Sequence, residues 1–300
     1  MRRLFRSHVL GAALVALALV AAACDGSGGD GNGNGSLTIG AVGFAENQIL
    51  GEMYAQALEA AGYDVERQLN LDSREIVQPA IESGEVDIAP EYLATLAVFL
   101  GGDGGTDPAE VHAQLEELLA DRGQTVLEFS SAVDTNAFVV TEDTASEHDL
   151  SAVSDLEGIA GELTLGGPPE CPEREFCIPG LEEVYGVEFA DFVPLDVGGP
   201  LTVEALAGGE IDVGLLFSTD GAIEANGFVV LEDDRQLQQA DNIAPVVSTE
   251  ALNDEIAGIL NGISAALDTP TMTALNAQVT VDQEDPADVA AGFLEDSGLI

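Results

Sequence analysis

The sequence predicts an α/β fold in two lobes, joined by two hinge crossings and separated by a cleft. Three observations carry that expectation. One phrase is written twice: Ala80-Ile-Glu-Ser-Gly84-Glu85-Val86-Asp87-Ile88 ends four residues later in Tyr92, and Ala205-Leu-Ala-Gly-Gly209-Glu210-Ile211-Asp212-Val213 ends at the same distance in Phe217. Each copy reads as a helix end, a Gly-Glu turn, a short apolar strand and an aromatic residue. An echo lies upstream of each copy, Leu37-Thr-Ile-Gly40 and Leu163-Thr-Leu-Gly166. Finally, strand and helix patterns alternate along the chain, which argues for an α/β sandwich in each half. Two similar halves imply an intervening cleft, with Tyr92 and Phe217 facing each other across it.

The elements follow in order. Leu37 to Val42 is an apolar strand, and Phe44-Ala-Glu46-Asn47 turns out of it into a helix reaching about Ala61. That helix carries Ile49, Leu50, Met53, Ala57 and Leu58 at the 3.6-residue period. Val65 to Leu71 is a strand, Ser73-Arg74 opens a helix ending at Ser83-Gly84, and Val86 to Ala89 is the third strand. Asp107-Pro108 supplies an N-cap and a first-turn proline for a helix to about Ala120. Strands are expected at Val126 and from Phe138 to Thr141. In the second half, a short helix from Ser154 to Ile159 precedes a strand at Leu163 to Leu165 and a helix at Leu181 to Tyr185. A strand at Phe192 to Leu195 then leads to a helix at Leu201 to Ala207. Strands at Val213 to Phe217 and Phe228 to Leu231 follow, and Ile243 to Val247 returns the chain to the first lobe. The last stretch is helical, over Ile256 to Ile263 and Pro286 to Leu294. The crossings are placed near Asn136 and Pro245, giving residues 37–137 plus 246–300 to lobe I and 138–245 to lobe II.

The chain opens like an export signal. Arg2, Arg3 and Arg6 precede an apolar run from Val9 to Val20, which is too short for a stable membrane span. Ala21-Ala22-Ala23-Cys24 resembles a lipobox that ends a signal segment of residues 1–24, and cleavage before Cys24 would make it an acylated new N-terminus. Residues 25–36, nearly all Gly, Asn, Asp and Ser, read as a flexible tether. The expected location is therefore extracytoplasmic, anchored to the cell membrane by lipid. Of the 3 cysteines, Cys171 and Cys177 remain, in a Pro/Gly-rich loop where an exported protein can form a disulfide. No nearby His or further Cys supports a metal site there.

The chain has 8 basic and 55 acidic residues, for a net charge of −47. Every acid follows Cys24, three arginines precede it, and lysine is missing altogether. Such a surface repels nucleic acid and anionic lipid headgroups, and it suits a protein whose self-repulsion is screened by high salt. His112 and His148 have no nucleophile in a recognisable context, there is no G-x-S-x-G elbow, and Gly101-Gly-Asp-Gly-Gly105 lacks the Lys-Ser/Thr of a phosphate loop. No active site, catalytic residue or cofactor is expected. Phe44, Tyr92, Phe138 and Phe217 stand instead at strand ends or turns aimed at the inferred cleft. Ring faces converging from two lobes are one way to hold a quaternary ammonium, a cation that donates no hydrogen bond and is attracted by ring quadrupoles.

At these residues the chain resembles the glycine betaine/carnitine/choline-binding proteins of osmoprotectant ABC importers. The resemblance rests on Gly43-Phe44-Ala-Glu46-Asn47-Gln-Ile-Leu50-Gly51, Ser73-Arg74-Glu75, Pro90-Glu91-Tyr92, Asp134-Thr-Asn136-Ala-Phe138, Gly198-Gly-Pro200-Leu-Thr202 and Phe217-Ser-Thr219-Asp220-Gly221, in order from Leu37 to the C-terminus. It implies a periplasmic-binding-protein fold of type II-like form that closes on a ligand and docks on an importer's permease and ATPase. It assigns Tyr92, Phe138 and Phe217 to the aromatic cage and Asn47, Thr95 and Asn136 to polar contacts. Two cage positions that are commonly Tyr are Phe here, so a ligand carboxylate would need other donors: Arg74, Asn47, Asn136 or Thr219. An ion pair with Glu75 or Glu91 is the other reading of Arg74. A monomer that delivers quaternary-ammonium osmolytes is expected, without a choice among betaine, choline and carnitine. The alternative is a receptor of the same fold for another small solute, such as an amino acid or a polyamine.

Overall fold

The computed structural model describes residues 35–300. The signal segment, Cys24 and nearly all of the tether lie outside the described residues. Two five-stranded mixed sheets organise the chain. The first has the order β2-β1-β3-β10-β4, built from β1 (Ser36–Val42), β2 (Asp64–Leu71), β3 (Ile88–Tyr92), β4 (Gln124–Val126) and β10 (Ile243–Ser248). The second has the order β7-β6-β8-β5-β9, from β5 (Asn136–Val140), β6 (Thr164–Gly167), β7 (Asp191–Pro194), β8 (Val213–Phe217) and β9 (Val229–Val230). In each, three strands run parallel and the fourth runs against them. That reversed strand, β10 or β5, is the one entering directly from the other sheet. The plan is the same in both halves, with β1, β2, β3, β10 and β4 matched by β6, β7, β8, β5 and β9.

The repeated phrase produces this likeness through the same contacts. Asp87 accepts the Thr38 N–H at 2.8 Å on its carboxylate and donates its own N–H to the Thr38 carbonyl at 2.8 Å. Asp212 does the same with Thr164, at 2.8 and 3.0 Å. Each aspartate thus pairs with both backbone groups of a threonine near the start of β1 or β6 and sets the register of the strand that follows. Gly84 and Gly209 adopt φ of 75° and 71° in the intervening turn, a region that disfavours any side chain. A Cβ on Gly40 would lie 2.8 Å from Val86 Cγ1, and one on Gly166 would lie 2.5 Å from Ile211 Cδ1. The echo and the phrase therefore pack on each other in both halves.

Helices cover both faces of the first sheet. On one side lie α1 (Ala45–Ala60), α9 (Asp254–Ala266), α10 (Thr269–Thr280) and α11 (Pro286–Asp296), around Ile39, Leu50, Met53, Tyr54 and Leu260. On the other lie α2 (Arg74–Ser83), α3 (Leu93–Phe99) and α4 (Pro108–Ala120), around Leu93, Leu96 and Leu115. Burying such side chains completely contributes roughly 1.5–3 kcal/mol each. The second sheet carries α5 (Glu142–His148), short helical turns including α6 (Ile178–Gly180), and α7 (Pro200–Ala207) and α8 (Gly221–Asn226).

Several elements differ from the sequence expectation. The sequence pattern does not mark α3, α5 or α8 as separate helices. α3 (Leu-Ala-Thr-Leu-Ala-Val-Phe) is apolar nearly all round because it is buried, so it shows no amphipathic period. Pro245 is not at a crossing: it lies mid-strand in β10, opposite Pro90 of β3, and all of β10 is buried in the first sheet. The chain changes sheets through 127–135 and again through 231–242. β5 begins at Asn136, two residues before the boundary expected for lobe II. Among the described residues, no helix is long and apolar enough to cross a membrane.

Candidate ligand-binding site

The carboxyl ends of β3 and β8 open onto a cleft of about 640 Å³ lined by residues of both halves. Three rings meet there. Phe44 precedes α1 at its N-cap, Tyr92 ends β3 and Phe217 ends β8. The Phe44 centroid lies 5.0 Å from Phe217 across the cleft and 6.3 Å from Tyr92. Both distances fall in the range of interacting aromatic pairs. Gly198 backs Phe217: a Cβ there would sit 2.7 Å from the ring's Cδ2, and the residue also has a φ of 62°. The Gly198-Gly199-Pro200 turn thus leaves room for the ring.

The cleft holds two cations, and each is already paired. Arg74, 8% exposed, places its Nε 2.9 Å and its Nη2 2.8 Å from Glu91 Oε2. Nη2 also donates to Thr95 Oγ1 at 2.9 Å. Burial works against the Arg74 charge, but Glu91, with Asp241 and Glu75 further off, holds the guanidinium protonated. Asp241 accepts both the N–H and the hydroxyl of Thr95, at 2.9 and 3.2 Å. Burial pushes its carboxyl up to about 6, although Thr95 and Arg74 oppose the shift. Arg174 reaches from the second half to Glu75 of α2, at 3.0 Å across the rim. With both cations paired and several acids lining the walls, the cleft favours a positive ligand.

Behind the rings is a buried polar cluster that sequence reasoning did not assign. Glu46 Oε1 accepts the Tyr92 hydroxyl at 2.9 Å, while its Oε2 accepts Thr219 Oγ1 at 2.5 Å and Asn276 Nδ2 at 2.8 Å. Asp134 Oδ1 accepts Ser218 Oγ and the Thr219 N–H, both at 3.2 Å. Burial and the neighbouring Glu46 charge push the Asp134 carboxyl well above the usual carboxylate range. Burial also raises Glu46, against the pull of its four hydrogen-bond partners. Burial and Glu46 raise the Tyr92 phenol likewise.

The nine residues expected to bind ligand do not all reach the cleft. Phe44, Asn47, Arg74, Tyr92, Thr95, Asn136 and Phe217 line it together. Asn47 and Asn136 are also structural: Asn47 accepts the Val42 N–H at 2.7 Å and donates to Pro90 O at 3.3 Å, and Asn136 donates to Phe176 O at 2.9 Å. Two residues stand elsewhere. Phe138 is 3% exposed in the apolar core of the second half, opposite Leu215 of β8. It shares the Asn136 face of β5 but lies two residues deeper. Thr219 is fully buried behind the rings, its hydroxyl given to Glu46. Cys171 and Cys177 form a disulfide with a Cα–Cα distance of 5.3 Å, pinning the rim loop that presents Arg174. Of the overlooked residues, Glu46 and Asp134 sit inside the motifs already singled out. Asn276 lies in α10, whose Thr-rich sequence gave no signal.

Comparison with known proteins places this cleft in context. The family model described as the substrate-binding domain of ABC-type glycine betaine transport systems matches residues 35–296. A glycine-betaine-binding protein of Pseudomonas aeruginosa is 32% identical over 279 residues, covering 88% of this chain and 89% of that protein. The carnitine transport binding protein OpuCC of Listeria monocytogenes is 29% identical, covering 94% and 93%. A crystal structure of a glycine betaine/carnitine/choline ABC transporter superposes with a TM-score of 0.69 at 28% identity, over 88% of this chain and 98% of that one.

Proposed function

We propose the following function for this chain, which belongs to the family of substrate-binding domains of ABC-type glycine betaine transport systems. It is an extracytoplasmic receptor that captures quaternary-ammonium osmolytes such as glycine betaine, choline or carnitine and delivers them to an ABC importer. It is tethered to the outer face of the membrane through a lipid on Cys24 and works as a monomer. The observation that carries this reading is the meeting of Phe44 and Tyr92 from one half with Phe217 from the other, in a cleft whose arginines are both paired. A trimethylammonium group gains from each desolvated ring about 0.5–2 kcal/mol and needs no hydrogen-bond partner. The cleft is roomier than a small osmolyte requires, so capture involves the two halves closing, and the closed shape is what a permease would read.

Thr95, Asn47 and Asn136 complete the walls and orient whatever polar end the ligand carries. Arg74 is held by Glu91, so a ligand carboxylate would share an engaged guanidinium. Isothermal titration with glycine betaine, choline and carnitine, and with arginine and spermidine as controls, tests the function. Binding of at least one quaternary ammonium, at least tenfold tighter than either control, is expected. A preference for spermidine or arginine would overturn the reading. For the anchor, a Cys24→Ser variant is expected to be released from membranes into the soluble fraction.

A further inference from the structure

We propose that Glu46 and Asp134 are the positioning pair of this site: sharing one proton, they fix the Tyr92 ring from one half and the Phe217-Ser218-Thr219 turn from the other in the arrangement where both rings meet one cation. The inference rests on the function proposed above and adds to it two residues, and a proton, that do not themselves form the cage.

The geometry carries it. Glu46, in the first turn of α1, takes hydrogen bonds from three separate elements: Tyr92 of β3, Thr219 after β8, and Asn276 of α10. Asp134 lies on the first crossing, where its N–H donates to the Asp241 carbonyl of the second crossing at 3.0 Å. Thr219 ties the two acids together, giving its hydroxyl to Glu46 and its N–H to Asp134. Both carboxyls are buried, and Thr219 brings them side by side. Two carboxyls buried side by side with no cation on either cannot both ionise, and they hold one proton between them. Glu46 already receives three other donors, which leaves Asp134 to carry the proton.

The surroundings favour this state. Tyr92 on β3 faces both carboxyls, Asp220 follows Thr219 in the chain and Asp241 meets Asp134 through its carbonyl, and none of them supplies positive charge. Among the described residues, no Arg or His forms a hydrogen bond or ion pair with either carboxyl. A second negative charge here would be uncompensated in a buried, weakly screened position. Losing the proton therefore pushes Glu46 and Asp134 apart. Because Thr219 spans them, the turn behind Phe217 moves with them.

The sign follows from linkage. Asp134 binds its proton more tightly folded than unfolded, so the contribution is complete below the ordinary carboxylate range. It is lost as pH rises through the raised folded value. Asn at position 134 would keep an acceptor for the Thr219 N–H and a donor toward Glu46, with nothing to ionise.

Two measurements on the whole protein test the pair. In titrations with glycine betaine and with choline from about pH 6 to about pH 9, the wild type is expected to lose at least tenfold in affinity. Asp134→Asn should stay within about twofold of its own acid value. Glu46→Gln should bind at least tenfold more weakly at every pH. In melting curves of the ligand-free proteins, the wild-type Tm should fall over the same range more steeply than that of Asp134→Asn. Parallel profiles for wild type and Asp134→Asn in both measurements, or a flat wild-type profile, would overturn the proposal. If the wild type binds neither compound at pH 6, the function proposed above fails, and the melting curves still judge the pair.

Discussion

The two halves of this molecule end the same repeated phrase differently. In the first, the phrase delivers Tyr92, 9% exposed, with its hydroxyl on Glu46. In the second it delivers Phe217, partly open to the cleft, placed by contact with Gly198 and with the Phe44 ring. The scaffold beneath is alike down to the aspartate that receives the Thr38 or Thr164 N–H. One ring is therefore held by polar bonds inside its own half. The other is held by shape, and partly by the opposite half. A site built this way has a fixed wall and an adjustable one, which is what capture by closure requires.

The largest expected effect comes from the fixed wall. Tyr92→Ala removes a ring and leaves Glu46 with one donor fewer. Ligand affinity should fall about a hundredfold, roughly 2.7 kcal/mol, and stability by about 3 kcal/mol, read by calorimetry and denaturant unfolding. Phe217→Ala should cost affinity tenfold or more, on the order of 1.4 kcal/mol, with a much smaller loss of stability, because that ring is only partly buried. Equal stability losses for the two variants would break the comparison.

The shared scaffold gives a sharper test. Asp87→Ala and Asp212→Ala should each destabilise by about 1–3 kcal/mol, since each strands a strand's N–H. The two losses should match within about 0.5 kcal/mol, and a wide gap would show that the halves do not bear load alike. The smallest effect belongs to the rim. The Arg174–Glu75 pair is about two-fifths exposed, so Arg174→Gln should change stability by under about 1 kcal/mol, less still in high salt.

Much of this organisation was legible in the sequence, for definite reasons. The phrase repeats at a constant spacing from Ala80 and Ala205 through Tyr92 and Phe217, so backbone turn, register and ring position came together. Phe44 was found because it interrupts a turn between a strand and a well-patterned helix. Phe138 was misplaced because an alternating strand shows which face a residue occupies but not how deep it lies. Arg74 had two open readings, and the choice depended on where Glu91 of β3 falls relative to α2. The buried cluster was harder. With 55 acids in the chain, nothing local marks Glu46 and Asp134 as the two that are buried together, and their partner Asn276 is some 140 residues beyond Asp134 in the chain.

The central claim is that ring faces from both halves hold a methylated cation by its charge as well as its shape. Choline and 3,3-dimethylbutan-1-ol have the same outline, and only choline is charged. Titrating both into the wild-type protein measures what the rings and the acidic walls add beyond apolar contact. The account predicts that choline binds at least a hundredfold more tightly than the neutral alcohol, and that Phe217→Ala narrows that ratio. Equal affinities for the two compounds would contradict it.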